Sequence, residues 1–245
     1  MRYVTVWIWL LFVAAPSWAV DCAALTFRGQ GYTACTVDIR HDDIRLFLRA
    51  PDAVPYGDFL TLNLALAQQN LTLSFAMNAG MYHPDRSPVG YYVEQGVTRM
   101  RLLTRASPGN FGLLPNGVLC IGDRTIEVIE TLRFAARNLV CRSASQSGPM
   151  LVIDGALHPR FLKDSRSRFI RNGVGMREGG QQAVFVMSKG FVTLHEFASL
   201  FKDHIGVSQA LYFDGNASRL FSLQLNRDDP GRRMGPIIGT VVPKP

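Results

Sequence analysis

Tryptophan and lysine are both scarce in this sequence. The chain has 245 residues and 3 Trp, at Trp7, Trp9 and Trp18, so any aromatic ligand platform beyond that segment must use Tyr or Phe. Only four of the 26 basic residues are Lys, and the rest are Arg. These Arg residues are spread along the chain rather than clustered. The net charge of +7 therefore does not indicate a nucleic-acid partner.

Several common catalytic and metal-binding motifs are absent. No Cys-x-x-Cys pair occurs, which argues against a zinc ribbon or a thioredoxin-type redox site. There is no Walker loop and no Gly-x-Ser-x-Gly, and His195-Glu196 lacks the second His of a zinc protease helix. The five His residues show no metal-ligand spacing. We therefore expect no cofactor and no metal site, while a divalent cation shared by Asp154 and Asp214 stays open.

The first segment has the layout of a secretory signal peptide. Arg2 precedes an apolar run from Val6 to Ala15, which Pro16 and the small-x-small sequence Ser17-Trp18-Ala19 follow. The run is shorter than the roughly 20 apolar residues of a transmembrane helix. We predict a signal peptide at 1–19 and a mature domain at 20–245, exported into a bacterial periplasm, with no transmembrane span after cleavage. An uncleaved N-terminal anchor is the alternative.

All four cysteines follow the predicted cleavage site. Export to an oxidising compartment favours disulfide bonds over free thiols. Four cysteines allow three pairings. Proximity in the sequence favours Cys22–Cys35 and Cys120–Cys141. The alternative is four reduced, buried thiols.

Hydrophobic patterning predicts both strands and helices. The capping box Thr193-x-x-Glu196 begins one helix, which Gly206 can end. Further helices are predicted over 58–69, where Asp58 can cap, and over 126–137. Predicted strands cover 32–39 and 44–48 as a hairpin, 71–77, 90–94, two strands within 113–121 joined at Asn116-Gly117, 149–154, 168–175, 182–187 and 208–213. With no low-complexity linker, we predict one compact α+β (α/β-like) domain, with mixed β-sheets flanked by helices.

Gly-rich polar segments follow three buried strands, at Met77–Tyr82, Ser147–Gly155 and Leu211–Ser218. A fourth segment, Ser165–Gly175, carries three Arg. Ligands often bind beyond strand ends, and Arg offers a planar fork to phosphate or carboxylate. Each Asp-Gly or Asn-Gly pair alone could be only a turn. Their combination in one chain indicates a binding site.

Together these segments resemble the phosphodiester glycosidases, the family related to the lysosomal uncovering enzyme, an N-acetylglucosamine-1-phosphodiester α-N-acetylglucosaminidase. The four segments that match its motifs are Asn78–Tyr82, Gly148–Gly155, Arg171–Gly175 and Phe213–Ser218. Ser87–Gly90 and Pro115–Val118 are similar to a bacterial exported branch of the family. Asn216-Ala217 stands where the family usually has two Gly.

The resemblance implies an exported glycosidase that hydrolyses a sugar-1-phosphodiester linkage in a phosphorylated carbohydrate or glycolipid. Asp214 would be the catalytic carboxylate, Asp154 a second carboxylate or only a turn, and His83 a proton donor. Arg171, with Arg168 in support, would hold the phosphate. The substrate-binding residues implied in this way are Asn78, Gly80, Tyr82, Gly148, Arg168, Arg171, Gly215 and Ser218. The alternative is a non-catalytic periplasmic protein that binds an anionic glycan.

Overall fold

The computed structural model describes residues 20–244. The predicted signal peptide, 1–19, therefore lies outside the described residues. Within them, no helix combines the length and the apolar character that a membrane crossing requires.

Strands dominate the regular structure. The first half of the described chain contains β1 Asp21–Phe27, β2 Gln30–Asp38, β3 Asp43–Phe47, β4 Leu71–Asn78, β5 Tyr92–Glu94, β6 Val97–Met100, β7 Gly117–Ile121 and β8 Ile126–Glu130. The second half contains β9 Ser143–Ser147, β10 Met150–Ile153, β11 Ala156–Leu157, β12 Asn172–Arg177, β13 Gln182–Ser188, β14 Ala210–Tyr212, β15 Leu220–Ser222, β16 Arg227–Asp228 and β17 Ile237–Pro243. The α-helices are α1 Phe59–Ala67, α2 Thr131–Arg137 and α3 Leu194–Ser199.

The strands form three sheets. The first has the order β1-β2-β13-β12-β14-β10-β11, the second β16-β15-β4-β17-β3, and the third β6-β5-β9-β7-β8. All neighbouring pairs of the described strands are antiparallel. The prediction of mixed sheets is therefore wrong. Antiparallel strands can be joined without crossover helices, which is why the fold has fewer helices than the α+β prediction implies.

One apolar cluster is shared by the three sheets. It includes Phe185 of the first sheet, Phe75 of the second and Leu119 of the third, each with no exposed surface. The rings of Phe75 and Phe185 lie 5.2 Å apart. Each sheet thus buries one face against the others.

Two helix predictions are confirmed, together with their caps. Asp58 accepts a hydrogen bond from the Thr61 amide at the start of α1. Thr193 and Glu196 make both hydrogen bonds of the capping box at the start of α3. A π-helical turn, Leu200–Ile205, extends α3 as far as Gly206, whose φ of 77° ends the helix in the left-handed region.

Three local predictions differ from the structure. Strands β2 and β3 exist but do not form a hairpin, because β2 pairs with β1 and β13 while β3 pairs with β17. Residues 113–121, predicted as two strands, contain only one, β7. Asn116 does not make a hairpin turn, because its side chain is buried and forms hydrogen bonds with Phe111 O and the Thr131 hydroxyl. The helix favoured over 126–137 is β8 followed by α2.

Both predicted disulfides are present. Cys22 and Cys35 lie directly opposite each other in the β1–β2 pair, and their Cα atoms are 4.0 Å apart. Cys120 of β7 bonds Cys141, which lies in the connection between α2 and β9. The second disulfide therefore ties an irregular segment to the third sheet.

A reciprocal pair of buried amides joins the first and second sheets. Asn78 ends β4 and Asn172 begins β12, and neither has exposed surface. Asn172 Nδ2 donates to Asn78 Oδ1 at 2.6 Å, and Asn78 Nδ2 donates to Asn172 Oδ1 at 3.2 Å. The two oxygens also accept backbone amides: Asn78 that of Arg219 at 3.2 Å, and Asn172 that of Asp214 at 3.3 Å. Three chain segments, β4, β12 and the connection between β14 and β15, thus meet at one amide pair.

The Cys120–Cys141 disulfide should contribute substantially to stability. Replacing both residues by Ala should lower the free energy of unfolding by about 3 kcal/mol, because the unfolded chain regains the freedom of a closed loop. Urea denaturation without reductant measures this change. Reductant should destabilise the wild type and narrow its difference from the variant. Equal midpoints for both proteins without reductant would contradict the prediction.

The amide pair should be sensitive to the loss of either partner. Asn172→Ala leaves the buried Asn78 amide and the Asp214 N–H without their partner, so we expect a loss of about 1–3 kcal/mol. Asn216→Ala, at an exposed position, is the matched control and should leave the urea midpoint unchanged. The double variant Asn78→Ala/Asn172→Ala should lose less than the sum of the single variants. Strict additivity would show that the amides do not act as a pair.

Candidate functional site

Asp214 lies just beyond β14. Its backbone amide donates to Asn172, one of the two residues of the buried amide pair. Its side chain is only 8% exposed. Oδ1 accepts the backbone amides of Gly215 at 2.6 Å and Asn216 at 3.0 Å. No hydrogen bond from residues 20–244 reaches Oδ2. Burial raises the pKa of Asp214 above its usual value, although the two backbone amides oppose that shift.

A small cleft of about 120 Å³ opens beside this carboxylate. The residues that line it are Met81, Asn110, Phe169, Tyr212, Asp214, Gly215 and Asn216. Phe169 is 39% exposed, which is unusual for so large an apolar side chain. The cleft therefore combines a desolvated carboxylate, a phenol, amides and an exposed aromatic ring. Aromatic faces and amides of this kind suit a carbohydrate ligand.

Tyr212 lines the same cleft as Asp214 and accepts a hydrogen bond from Arg171, a buried cation. Arg171 Nη1 donates to the Tyr212 hydroxyl at 3.1 Å, so the phenolic proton is left to point elsewhere. Burial, opposed by Arg171, raises the pKa of Tyr212, and the hydroxyl therefore stays protonated at neutral pH. A Cβ at Gly215 would lie 2.4 Å from the Tyr212 hydroxyl oxygen. Only Gly at position 215 allows the Tyr212 hydroxyl to lie this close to the backbone.

The Arg171 guanidinium has no exposed surface and forms no ion pair with any described residue. Nε donates to Val192 O at 2.8 Å and Nη2 to Ser167 O at 2.9 Å. Its carbon lies 5.4 Å from the centre of the Phe169 ring and 5.3 Å from that of Tyr212. Burial lowers the pKa of Arg171. The cation is therefore held by carbonyls and aromatic rings, behind the wall of the cleft.

The fold brings four of the predicted residues to the neighbourhood of Asp214: Asn78, Tyr82, Arg171 and Gly215. They differ in whether they line the cleft. Asn78 and Arg171 lie behind the cleft, with their polar atoms bonded within the protein. Burial and the Asp214 carboxylate raise the pKa of Tyr82, against the opposing effect of nearby Arg side chains. Those cations are Arg86, Arg232 and Arg219. The Tyr82 hydroxyl donates to Arg233 O at 3.1 Å.

Asp154 is not brought next to Asp214. Its carboxylate accepts from Gln209, the residue before β14, whereas Asp214 follows that strand at its other end. Arg133 forms a two-pronged ion pair with Asp154, at 2.8 and 3.0 Å. This pair, with Gln209, lowers the pKa of the exposed Asp154 carboxyl. Asp154 therefore serves a surface ion pair at the turn between β10 and β11.

The other predicted polar residues lie outside the cleft lining. His83 is exposed in a tight turn of the loop after Tyr82. Arg168 donates to Glu196 at 2.7 Å and to Phe191 O, and about half of its side chain is exposed. The Ser218 hydroxyl donates to Ile170 O at 2.8 Å, where it holds the turn after Asp214.

Two predicted glycines serve close packing around the site. Gly80 has φ of 141°, a conformation that other residues rarely adopt, and its backbone lies against Ser145. A Cβ at Gly148 would lie 2.6 Å from Asn116 Cβ and 2.8 Å from Phe111 O. Both glycines let the loops that flank the cleft approach each other.

Asn110, Phe169 and Asn172 were not predicted to act at the site, and Tyr212 was considered only as one of several Tyr residues that could stack on a sugar. Tyr212 precedes Asp214 by two residues, so its side chain is on the same side of an extended chain. That spacing could have identified it. Asn172 lies inside the Arg171–Gly175 motif, but its partner is 94 positions away. Nothing in the sequence alone indicates that pairing, or that Phe169 is exposed.

A larger cavity, of about 710 Å³, shares no lining residue with this cleft. Its walls include Arg49, Tyr56, Ser87 and Glu94. Size alone would select it, but the segments with chemical motifs converge on the smaller cleft. Among the described residues, no three His, Cys, Asp or Glu side chains come together as a metal site requires.

The chain is similar to known proteins over most of its length. The phosphodiester glycosidase family model matches residues 72–240, which contain all the residues of the cleft. The uncharacterized protein YigE of Escherichia coli (strain K12) is 31% identical over 221 residues, which cover 87% of this chain and 84% of that protein.

Two solved structures share the fold at low sequence identity. A hypothetical protein from Synechocystis matches with a TM-score of 0.58 at 13% identity, over 90% of this chain and 61% of that one. The zebrafish N-acetylglucosamine-1-phosphodiester α-N-acetylglucosaminidase catalytic domain, auto-inhibited by its pro-peptide, matches with a TM-score of 0.58 at 11% identity, over 90% of this chain and 81% of that one. With the family model and the relative together, these matches show that the chain belongs to the phosphodiester glycosidase family.

Proposed function

We propose that this protein is an exported glycosidase that hydrolyses a sugar-1-phosphodiester, with Asp214 as its catalytic carboxylate. The observation that carries the proposal is the environment of Asp214: a buried carboxylate with one oxygen fixed by backbone amides and the other left without a partner, on the wall of a cleft. Membership of the family and the activity named for the zebrafish relative support the reaction class.

The chemistry asks little of a general acid. When the bond between the anomeric carbon and its oxygen breaks, a phosphate monoester departs. This is a good leaving group, so the main task is to stabilise positive charge at the anomeric carbon. Asp214 Oδ2 can do this as a nucleophile or as a base for water. Its low exposure strengthens the interaction, because water screens a buried charge less. The neutral Tyr212 hydroxyl can donate its free proton to a ligand oxygen in the same cleft.

Arg171 acts through Tyr212 in this proposal. The guanidinium has no exposed surface, so it holds the phenol in place and does not reach the phosphate itself. The positive field at the cleft comes instead from the side of Tyr82, where Arg86 and Arg232 lie. Phe169 offers an exposed ring to the sugar. The substrate is thus a phosphorylated carbohydrate or glycolipid, with the sugar at Phe169 and the phosphate toward these cations.

Export is part of the same proposal. The signal-type layout of residues 1–19 and the two disulfides support a periplasmic location. Fractionation of cells that produce the full chain tests it, since the protein should leave with the periplasmic fraction and show no free thiol.

Asp214→Asn should abolish hydrolysis while keeping the fold. The substitution preserves an oxygen for the Gly215 and Asn216 amides but removes the charge, so we expect kcat to fall by about 10³-fold or more. Release of free sugar from a panel of sugar-1-phosphodiesters measures the rate.

Asp154→Asn is the matched variant in this assay and should remain active, because Asp154 lies at the other end of β14. Loss of activity in both variants would indicate a carboxylate pair instead. Tight binding of the panel by the wild type without any release of sugar would favour a non-catalytic glycan-binding protein.

The same substitution should stabilise the protein at neutral pH. Burial raises the pKa of Asp214, so its contribution to stability is present below the pKa of the unfolded chain and is lost as the pH rises through the folded value. Asp214→Asn removes this pH-dependent loss of stability, because the Asn side chain does not ionise. Thermal unfolding should therefore give a higher midpoint than the wild type at pH 7, with the difference shrinking at pH 3.

Asp123→Asn is the control for these melts, since that side chain is 90% exposed and it should move the midpoint at neither pH. A lower midpoint for Asp214→Asn at pH 7 would mean that ionised Asp214 stabilises the fold, contrary to the burial argument.

A further inference from the structure

One rim of the cleft is unusually apolar for an exposed surface. We define the rim as residues 158–170 together with Lys189 and Phe191. The segment joins β11 to β12 without helix or strand, apart from the bridge between Phe169 and Val192. Leu162 and Phe191 are each 66% exposed, and Phe169 is 39% exposed. Side chains of this size at a protein surface commonly mark an interaction site.

The same rim is strongly cationic. Its exposed basic residues are Arg160, Lys163, Arg166, Arg168 and Lys189. Arg168 is neutralised by Glu196, at 2.7 Å. The others form no ion pair with any residue of the described range 20–244, and Asp164 is the one acid of the rim itself. The rim therefore presents several uncompensated positive charges to solvent.

Contacts within the rim place Phe169 and Phe191 close to the cleft. Phe169 and Val192 exchange backbone hydrogen bonds at 3.2 and 2.9 Å, so Phe191 lies next to this bridge. Arg168 also donates to Phe191 O at 3.2 Å. Phe169 itself lines the cleft with Asp214. Phe169, Arg168 and Phe191 thus lie together where the rim meets the cleft.

We propose that this rim docks on an anionic lipid bilayer. Exposed Leu and Phe side chains among uncompensated Lys and Arg are typical of surfaces that lie at a membrane interface, where the apolar groups enter the acyl boundary and the cations meet the headgroups. A purely electrostatic partner would leave Leu162 and Phe191 in water. A purely apolar partner would bury the cations without counter-charge, which is costly.

This inference deepens the proposed function and rests on it for its consequence. Docked through the rim, the protein would turn the mouth of the Asp214 cleft toward the bilayer, where the phosphodiester of a membrane-anchored glycolipid would lie. The binding itself does not depend on catalysis.

Co-sedimentation of the mature protein with lipid vesicles tests the proposal. Vesicles of phosphatidylcholine mixed with phosphatidylglycerol should bind the protein, those of phosphatidylcholine alone should bind it weakly, and added salt should release it. Lys163→Gln/Arg166→Gln should weaken binding by at least about tenfold. Leu162→Ser/Phe191→Ser should also weaken it, and the residual binding should be more sensitive to salt.

Matched controls lie away from the rim. Val140→Ser removes an apolar side chain that is 93% exposed, and Arg124→Gln removes an exposed cation from the turn between β7 and β8. Both should bind vesicles like the wild type. Equal binding to the two vesicle types, or rim variants that bind as well as the controls, would overturn the proposal.

Hydrolysis of a water-soluble sugar-1-phosphodiester separates this inference from the proposed function. The rim double variants should keep that activity and the thermal midpoint of the wild type, because neither touches the cleft residues. Asp214→Asn should in turn bind anionic vesicles normally. Vesicle binding with no hydrolysis would leave the docking surface standing and refute the enzyme, whereas hydrolysis with no vesicle binding would refute the docking surface alone.

Discussion

The reciprocal hydrogen bonds between Asn78 and Asn172 are the constraint on which the rest of the site depends. A carboxamide carries a donor and an acceptor with two lone pairs, so each side chain can bond its partner and still accept a backbone amide. These second bonds fix the backbone amides of Asp214 and Arg219, at the two ends of the turn between β14 and β15. Apolar packing could join the two sheets, but it would not set the position of that turn so closely. A buried, fully satisfied polar pair does so because any shift would leave an amide without a partner.

Two charged side chains, Asp214 and Arg171, are buried at the cleft without forming an ion pair with each other. Asp214 relies on the Gly215 and Asn216 amides, and Arg171 relies on carbonyls and aromatic rings, with the Tyr212 phenol between the two charges. A direct pair would satisfy both groups and leave neither for a ligand. The arrangement keeps Asp214 Oδ2 and the phenolic proton unused inside the protein. Because burial raises the pKa of Asp214, we expect its ionised form to lower stability at neutral pH, as is common where polar groups serve binding rather than folding.

How far the sequence could predict this structure depends on the range of each interaction. The caps at Asp58 and Thr193 and both disulfides follow from neighbours in the chain, and they were predicted correctly. The pairing of β2 with β13 brings Cys35 opposite Phe185, which lies 150 positions away in the sequence. No local sequence pattern predicts this pairing. The same holds for Asn172, whose partner lies in another sheet. Asn116-Gly117 has the composition of a tight turn. It forms none, because the buried Asn116 amide forms hydrogen bonds with Phe111 and Thr131 instead. The motifs contain Asp214 and Gly215 of the candidate cleft, but only the packing of the sheets shows which polar groups line the cleft and which lie behind its wall.

The two departures from the family motif have different consequences because their side chains point to different places. Ala217 is 6% exposed, so its methyl group fills space inside the turn. Asn216 is exposed and lines the cleft, where a Gly would leave an open mouth. Its backbone amide still holds Asp214 Oδ1, so the carboxylate keeps its position. Asn216 therefore adds a polar side chain to the lining of the cleft, while Asp214 keeps its position. Under the proposed function, we expect Asn216 and Phe169, which differ in polarity and line the same small cleft, to determine which sugar it accepts.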